Sequence, residues 1–146
     1  RPIWVERNSK QKSAGMVREL KETMGNHIPL IIYPEGTSSD GRSGVLAFKS
    51  TPFAAVTETE LQILPVVTVF EPLADGSNAA WYGDEQLLPH VWRILGNPRI
   101  ETEVHILPSV YPEGRSRKEL AELIHTMIEE KYWEIMMQKG YKRPVA

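Results

Sequence analysis

The sequence contains no cysteine, no large excess of either charge and no long apolar run, and each absence excludes a class of function. Without cysteine, the chain forms no disulfide framework, no thiolate metal site and no thiol nucleophile. With 17 basic and 19 acidic residues the formal net charge is −2, so no overall positive field points to a nucleic-acid partner. No apolar stretch approaches the ~20 residues that a transmembrane helix needs.

The composition that remains is that of an ordinary globular domain. Of the 146 residues, 41% are apolar and 25% are charged, which are proportions typical of globular chains. This length suits one domain, and we predict a single domain over residues 1–146. The chain opens at Arg1, without a methionine and within an apolar run. We therefore expect it to be a piece of a longer protein.

Helical and strand-like patterns alternate along the chain. We predict helices at residues 9–24, 87–95 and 116–138, and strands at residues 2–5, 28–33, 61–70 and 102–107. The run at residues 28–33 is apolar without alternation, which is typical of a strand buried on both faces in a parallel sheet. The alternation predicts an α/β fold with a central, mostly parallel or mixed sheet flanked by helices.

The letters YPEG occur twice, and the two copies have different surroundings. The first, at residues 33–36, joins an apolar run to a loop rich in glycine and serine at residues 36–44, and a plain turn is its simplest interpretation. The second, at residues 111–114, leads into Ser116 and Glu119, which form a capping-box pattern. We predict that the second copy is a turn before a helix.

A second interpretation of the first copy is a phosphate-binding loop. Residues 36–43 nearly spell the P-loop pattern G-x-x-x-x-G-K-[ST] directly after a predicted strand. However, Arg42 replaces the lysine, and Pro52 leaves little room for the helix whose N-terminus supplies part of the anion field. Nucleotide binding is therefore disfavoured.

A third interpretation uses four blocks that follow one another along the chain. The blocks are IWVER at residues 3–7, YPEGTSS at 33–39, FKSTPF at 48–53 and LPVV at 64–67. In this order and spacing they resemble the lysophospholipid acyltransferase family, which includes 1-acylglycerol-3-phosphate acyltransferase. The resemblance implies a glycerol-3-phosphate acyltransferase-like α/β fold that is incomplete at its N-terminus. On this interpretation the chain holds about the C-terminal two thirds of the family's domain.

The sequence departs from the family pattern at two places. The family's catalytic block, H-x-x-x-x-D, precedes the block that IWVER resembles, and none of the four histidines here is followed by aspartate five positions later. We therefore expect no catalytic residue in this chain and a His/Asp block upstream of Arg1. His125, which has Glu130 at that spacing, is predicted to be a partly exposed helix residue. Ser38 stands where many members carry an arginine that contacts phosphate.

The resemblance implies which residues bind the acceptor: Arg7, Glu35, Gly36, Thr37 and Lys49. A carboxylate can accept a hydrogen bond from a glycerol hydroxyl, and glycine permits close approach of the backbone. The planar fork of arginine and the point charge of lysine suit a phosphate group.

The activity that the resemblance implies is transfer of a fatty acyl group to the free hydroxyl of a lysophospholipid. The donor is acyl-CoA or acyl carrier protein, and the default acceptor is 1-acylglycerol-3-phosphate, which gives phosphatidate. No metal and no other cofactor is implied. We expect peripheral association with the cytoplasmic face of a membrane. The alternative is a non-catalytic lipid- or phosphate-binding module of the same fold.

Two apolar clusters can each be explained by membrane contact or by burial. The stripe on the predicted helix at residues 87–95 suits a membrane surface, which a lipid-modifying enzyme needs, but packing in the core is the favoured interpretation. The cluster at residues 132–137 is apolar nearly all round its helix, which indicates a buried contact or a partner segment that this chain lacks.

Overall fold

The structure, a computed structural model, describes residues 10–25 and 29–144. Its helices are α1 (Lys10–Gly25), α2 (Phe53–Thr59), α3 (Leu87–Leu95) and α4 (Arg117–Gln138), and its strands are β1 (Val66–Phe70) and β2 (Thr102–Ile106). The predicted helices at residues 9–24, 87–95 and 116–138 are therefore confirmed within a residue or two at their ends. The predicted strand at residues 2–5 lies outside the described residues.

The largest core cluster lies between α2 and the first half of α4. It is formed by Phe53, Val56, Leu120, Ala121 and Ile124, and Leu120 is fully buried. On its other side α2 meets α1, where Met16 and Leu20 are buried with Ala55.

Helix α4 begins at the predicted capping box. The Ser116 hydroxyl accepts the Glu119 N–H, and the Glu119 carboxylate accepts the Ser116 N–H at 2.8 Å. The hydrogen bonds from Ser116 lower the pKa of Glu119. These two bonds satisfy backbone donors that a helix start otherwise leaves open.

The two strands form an antiparallel pair that rests on the second half of α4. Val66 pairs with Ile106 and Phe70 with Thr102. Burial alternates along β1, and Val67 and Val69 pack against Ile135. The predicted strand at residues 102–107 is confirmed. The one predicted at 61–70 is shorter, because the regular strand begins only after Pro65, whose ring removes a ladder donor.

The mostly parallel central sheet is not confirmed, because the sheet of the described residues is this antiparallel pair alone. The doubly buried strand predicted at residues 28–33 is wrong for residues 29–33, where no strand forms and the side chains of Ile31 and Tyr33 are 84% and 82% exposed. The apolar run carries the composition of a buried strand. No neighbouring strand of the described residues pairs with it, so its burial is not realised.

Helix α3 has the predicted bounds but not the favoured packing. Its exposed apolar side chains are Leu87, Leu88, Val91, Trp92 and Leu95; of these, Leu88 is 71% and Trp92 72% exposed. Only His90 of this helix is buried. The prediction that the stripe packs in the core is therefore wrong. The polar side of the helix faces the protein instead, held by the Arg93 hydrogen bonds described below.

The apolar cluster on α4 follows its prediction more closely. Trp133 and Ile135 are both 3% exposed, whereas Met137 remains exposed. None of the helices in the described ranges is both long enough and apolar enough to cross a membrane.

Candidate functional site

The first YPEG copy forms a tight turn at Pro34 and Glu35. The Gly36 N–H donates to the Tyr33 carbonyl at 3.2 Å, and Gly36 adopts a φ of +73°. Glycine enters this left-handed region without the steric cost that a Cβ imposes. The turn therefore needs glycine here, and it projects the side chain of Glu35 beside the loop that follows.

Glu35 closes that loop, which comprises residues 36–46 and is called the PEG loop below. Its Oε2 accepts the Leu46 N–H at 2.9 Å, across eleven residues of sequence. The carboxylate is partly buried and keeps further lone pairs. Glu35 is thus fixed in direction by the backbone, and it can still accept a hydrogen bond from a ligand hydroxyl.

Lys49 lies beside the same turn. Its N–H donates to the Pro34 carbonyl at 2.8 Å, and its Cγ lies 3.7 Å from the position that a Cβ on Gly36 would occupy. The lysine stem therefore passes over Gly36, with its side chain exposed to solvent. Thr37 is exposed and follows directly in the chain.

The structure thus brings together four of the five residues predicted to bind the acceptor: Glu35, Gly36, Thr37 and Lys49. The fifth, Arg7, lies outside the described residues. The group offers a carboxylate, an ammonium and an accessible glycine backbone. These are groups that can bind a polar head group. Their role in binding stays a prediction.

The second YPEG copy is a turn, as predicted. Glu113 and Gly114 both have positive φ, at 49° and 76°, and the Arg115 N–H donates to the Pro112 carbonyl at 2.9 Å. The turn leads directly into the capping box of α4.

Helix α4 contacts the PEG loop through residues that no sequence motif connects with it. The Tyr132 hydroxyl donates to the Gly41 carbonyl at 2.8 Å. Burial, followed by the nearby charges of Asp40, Tyr141 and Glu35, raises the pKa of Tyr132. Gly41 and Tyr132 are 91 residues apart, and no local pattern signals their contact.

His125, predicted to be a partly exposed helix residue, also lies against this region. Its Nε2 is 3.2 Å from the Val45 carbonyl, and its ring meets Phe48 edge-on with centroids 5.0 Å apart. The side chain is partly buried, so that prediction is confirmed. Because a carbonyl only accepts, Nε2 carries the proton in this contact.

A polar network joins α3 to Asp40, near the middle of the PEG loop. Arg93 donates to the Glu85 carboxylate at 2.7 Å and to the Ser77 hydroxyl at 2.8 Å, and Asn78 donates to the Asp40 carbonyl at 3.0 Å. The hydrogen bond from Arg93 lowers the pKa of Glu85, with the charges of Arg93 and His90 adding to it.

A cavity of about 460 Å³ opens beside this network, and its polar lining includes Arg42 and Tyr82. The sequence alone does not predict this network, because its members come from a turn, a loop and a helix that are separated along the chain.

The histidines of the described ranges each lie beside a polar partner. His90 lies in the Arg93 network, His105 beside Glu103, and His125 beneath the PEG loop. No group of three or more His, Asp or Glu side chains in these ranges is arranged to hold a metal ion. The expected position of the catalytic base, upstream of Arg1, is not tested by this geometry.

Comparison with known proteins gives two findings. The family model described as Acyltransferase matches residues 1–69. Lyso-ornithine lipid O-acyltransferases also match: that of Rhizobium meliloti (strain 1021) is 28% identical over 137 residues, covering 84% of this chain and 47% of the relative. That of Pseudomonas aeruginosa is 30% identical over 107 residues, covering 71% and 40%.

A third such enzyme, from Brucella abortus (strain 2308), is 28% identical over 148 residues, covering 88% of this chain and 53% of the relative. No solved structure matches the chain significantly. The chain spans about half the length of the curated relatives it matches. The family model covers the first two blocks, the FKSTPF segment and the LPVV strand start, and the chain belongs to the lysophospholipid acyltransferase family.

Proposed function

We propose that the full-length protein transfers a fatty acyl group from a thioester to the free hydroxyl of a lysolipid. The hydroxyl oxygen attacks the thioester carbonyl, its proton passes to a base, and the thiol of acyl-CoA or acyl carrier protein leaves. The observation that carries the proposal is the convergence of Glu35, Gly36 and Lys49 at one turn in a member of this family. No further cofactor takes part.

The base in this proposal is a His/Asp pair N-terminal to Arg1. The 146 residues contain no H-x-x-x-x-D pattern, and relatives with the named activity are about twice as long as the matched region. A neutral histidine next to a carboxylate is suited to take up the hydroxyl proton near neutral pH.

Two head groups are candidates for the acceptor. Lysophosphatidate, the acceptor that the resemblance implies by default, carries a phosphate that suits the ammonium of Lys49. Lyso-ornithine lipid is favoured by the three relatives, which are named for acting on it. It is also favoured by Ser38, because a head group with one carboxylate needs fewer cations than a phosphate dianion. We place lyso-ornithine lipid first.

The proposal for the fold concerns residues 29–33. The side chains of Ile31 and Tyr33 are exposed, although Leu30 packs partly buried beside Met16 and Leu20. No strand of the described residues pairs with this segment. In the full-length protein we expect it to form a strand of a central sheet with segments upstream. Amide exchange tests this: residues 30–33 should be protected in the full-length protein and exchange rapidly in the 146-residue chain. Equal exchange in both would exclude the strand.

Helix α3 is the proposed peripheral contact with the cytoplasmic face of a membrane. Its apolar side faces outward, while its polar side is tied through Arg93, Ser77 and Asn78 to the PEG loop. Tryptophan at such a surface suits the bilayer interface. An acceptor that resides in a bilayer would then reach Glu35 and Lys49 from the side on which α3 lies.

Thiol release with lyso-ornithine lipid or lysophosphatidate as acceptor tests the function. We expect turnover by the full-length protein and none by the 146-residue chain, which contributes no thiol of its own. Turnover by the chain alone would place the base within it. Saturable lysolipid binding without turnover by either form would favour the non-catalytic binding module.

A further inference from the structure

One face of α4 supports the PEG loop along its length. His125, Glu129, Tyr132 and Trp133 recur at the spacing of a single helical face. The Tyr132 hydroxyl donates to the Gly41 carbonyl at 2.8 Å, and His125 Nε2 lies 3.2 Å from the Val45 carbonyl. The helix therefore contacts the loop at two points, through side chains about two helical turns apart.

The loop backbone approaches this face so closely that only glycine fits. A Cβ on Gly44 would lie 2.9 Å from Trp133 Nε1 and 3.3 Å from Glu129 Oε1, and one on Gly41 would overlap the Tyr132 hydroxyl. Both glycines also have positive φ, +73° for Gly41 and +87° for Gly44. The close fit indicates that the loop is seated on α4 in one defined conformation.

These contacts are directly continuous with the residues that would bind the acceptor. Val45, held by His125, precedes Leu46, whose N–H fixes the Glu35 carboxylate. Phe48, packed edge-on against His125, precedes Lys49. A shift of the loop away from α4 would therefore move Leu46 away from Glu35 and displace the backbone that carries Lys49.

We propose that Tyr132 and His125 are positioning residues for the lysolipid acceptor: they hold the PEG loop in the conformation in which Glu35 and Lys49 converge. This inference rests on the proposed function. Neither residue donates a group to the substrate. Their contribution is to keep the binding residues in place before the acceptor arrives, which lowers the ordering cost of binding.

Steady-state kinetics of the full-length protein test the role of Tyr132. Tyr132→Phe removes the hydroxyl and keeps the ring. We expect the acceptor KM to rise about 3- to 10-fold, the effect of one neutral hydrogen bond, with kcat and the KM for the acyl donor unchanged. The matched control is Tyr111→Phe, which removes the hydroxyl that donates to Gln62 at 3.3 Å in the second YPEG turn and should leave all three constants unchanged.

Two substitutions at His125 separate the hydrogen bond from packing. His125→Gln keeps a donor near the position of Nε2, and His125→Leu removes it. We expect the leucine variant alone to raise the acceptor KM. An unchanged acceptor KM in both Tyr132→Phe and His125→Leu overturns the inference, and so does a parallel rise in the KM for the acyl donor.

Amide exchange separates this inference from the proposed function. In the full-length protein, Tyr132→Phe should speed exchange at Gly44 and Leu46 while β1 exchanges as before. If the wild-type protein transfers no acyl group to any lysolipid, the proposed function fails, and the inference about acceptor positioning fails with it. If the wild type is active but exchange at Gly44 and Leu46 does not change in Tyr132→Phe, only the inference fails.

Discussion

Glu35 accepts the backbone N–H of Leu46 at 2.9 Å and thereby closes the loop that its own turn begins. The same carboxylate is the group that the family resemblance assigns to the acceptor. Under the proposed function, one side chain would therefore serve two purposes, loop closure and ligand recognition. Because a carboxylate offers about four lone-pair sites, the two purposes do not compete, and they can be separated by substitution.

Glu35→Gln should separate loop closure from recognition. The glutamine oxygen still accepts the Leu46 N–H, so we expect amide exchange at Leu46 to stay near the wild-type rate. Loss of the charge should lower kcat/KM for the lysolipid by about 10- to 100-fold, the range for hydrogen bonds to ionised groups. The measurement combines steady-state kinetics with hydrogen exchange on the full-length protein.

Glu35→Ala is the companion variant, and it should impair both properties. It leaves the Leu46 N–H without its acceptor, so exchange at Leu46 should rise as well as activity fall. If the alanine and glutamine variants lose the same activity and neither alters exchange, the Glu35–Leu46 bond does not hold the loop. Wild-type activity in Glu35→Gln would mean that the carboxylate charge does not contribute to recognition of the acceptor.

Lys49 should contribute to acceptor binding through its positive charge rather than through hydrogen bonds of one fixed geometry. Lys49→Met keeps the apolar stem that lies over Gly36 and removes the ammonium. We expect the acceptor KM to rise about tenfold at low salt and less at high salt, because screening weakens the lost interaction. Lys49→Arg should retain most of the affinity. A salt-independent KM in the wild type would argue against an ionic contact with the acceptor.

The sequence predicts the elements well where the signal is local. The spacing of apolar residues predicts the bounds of α3, and the capping box predicts the start of α4. Both signals depend on residues within a turn or two of one another. Helix α2 is absent from the predicted elements, because Pro52 counts against a helix directly after residues 36–43 and no helix is predicted immediately beyond it. A proline is in fact well tolerated at a helix start, where its missing N–H costs nothing.

Contacts between residues far apart in the chain could not be predicted from the sequence, and the reason is physical. An apolar stripe shows that a surface prefers to leave water, but not what covers it, so α3 and residues 29–33 are both predicted to be buried. Family motifs predict that Glu35 and Lys49 lie close together. The contact of Tyr132 with Gly41 spans 91 residues and depends on how α4 docks, which no motif or period encodes.

The exposed side of α3 should bind lipid vesicles. Leu88→Glu and Trp92→Glu each place a charge where the proposal has an apolar contact, and we expect each to weaken partitioning to vesicles about 10-fold or more, since burying one such side chain contributes ~1.5–3 kcal/mol. Cosedimentation of the full-length protein with vesicles measures this. The control is Val104→Glu, at a 60% exposed position on β2.

Three outcomes of the vesicle experiment are informative. A loss confined to the α3 variants supports membrane contact. Equal loss in Val104→Glu would indicate a general effect of added negative charge. Unchanged partitioning in all three variants, or a change of oligomeric state in the α3 variants, would mean that another segment or a second copy covers α3.

The raised pKa of Tyr132 should make stability depend on alkaline pH. Burial is the main cause, and the charges of Asp40, Tyr141 and Glu35 add to it. Above the ordinary tyrosine pKa of about 10, the unfolded chain has lost the Tyr132 proton while the folded chain keeps it. The unfolded state then binds fewer protons, so the free energy of unfolding falls as pH rises from there.

Urea unfolding of the wild type and Tyr132→Phe at about pH 8 and about pH 11 measures this effect. Phenylalanine does not titrate, so the stability advantage of the wild type over the variant should shrink between the two pH values. Other alkaline transitions are common to both proteins and cancel in the difference. A constant difference across this range would mean that the hydroxyl titrates as it does in the unfolded chain.

The close approach of the PEG loop to α4 should make Gly44 far less replaceable than a comparable glycine elsewhere. Gly44→Ala imposes two costs: a Cβ at a φ of +87°, and overlap with Trp133 Nε1 at 2.9 Å. Trp133 is 3% exposed, so its ring has no space into which it could move.

Gly76→Ala imposes the first cost alone, since Gly76 has a φ of +77° and nothing lies within 4 Å of the place that a Cβ there would take. We expect Gly44→Ala to lower the free energy of unfolding by about 1–3 kcal/mol more than Gly76→Ala, the usual range for overpacking. Equal losses in urea unfolding would mean that the loop yields without strain, and that α4 supports it only loosely.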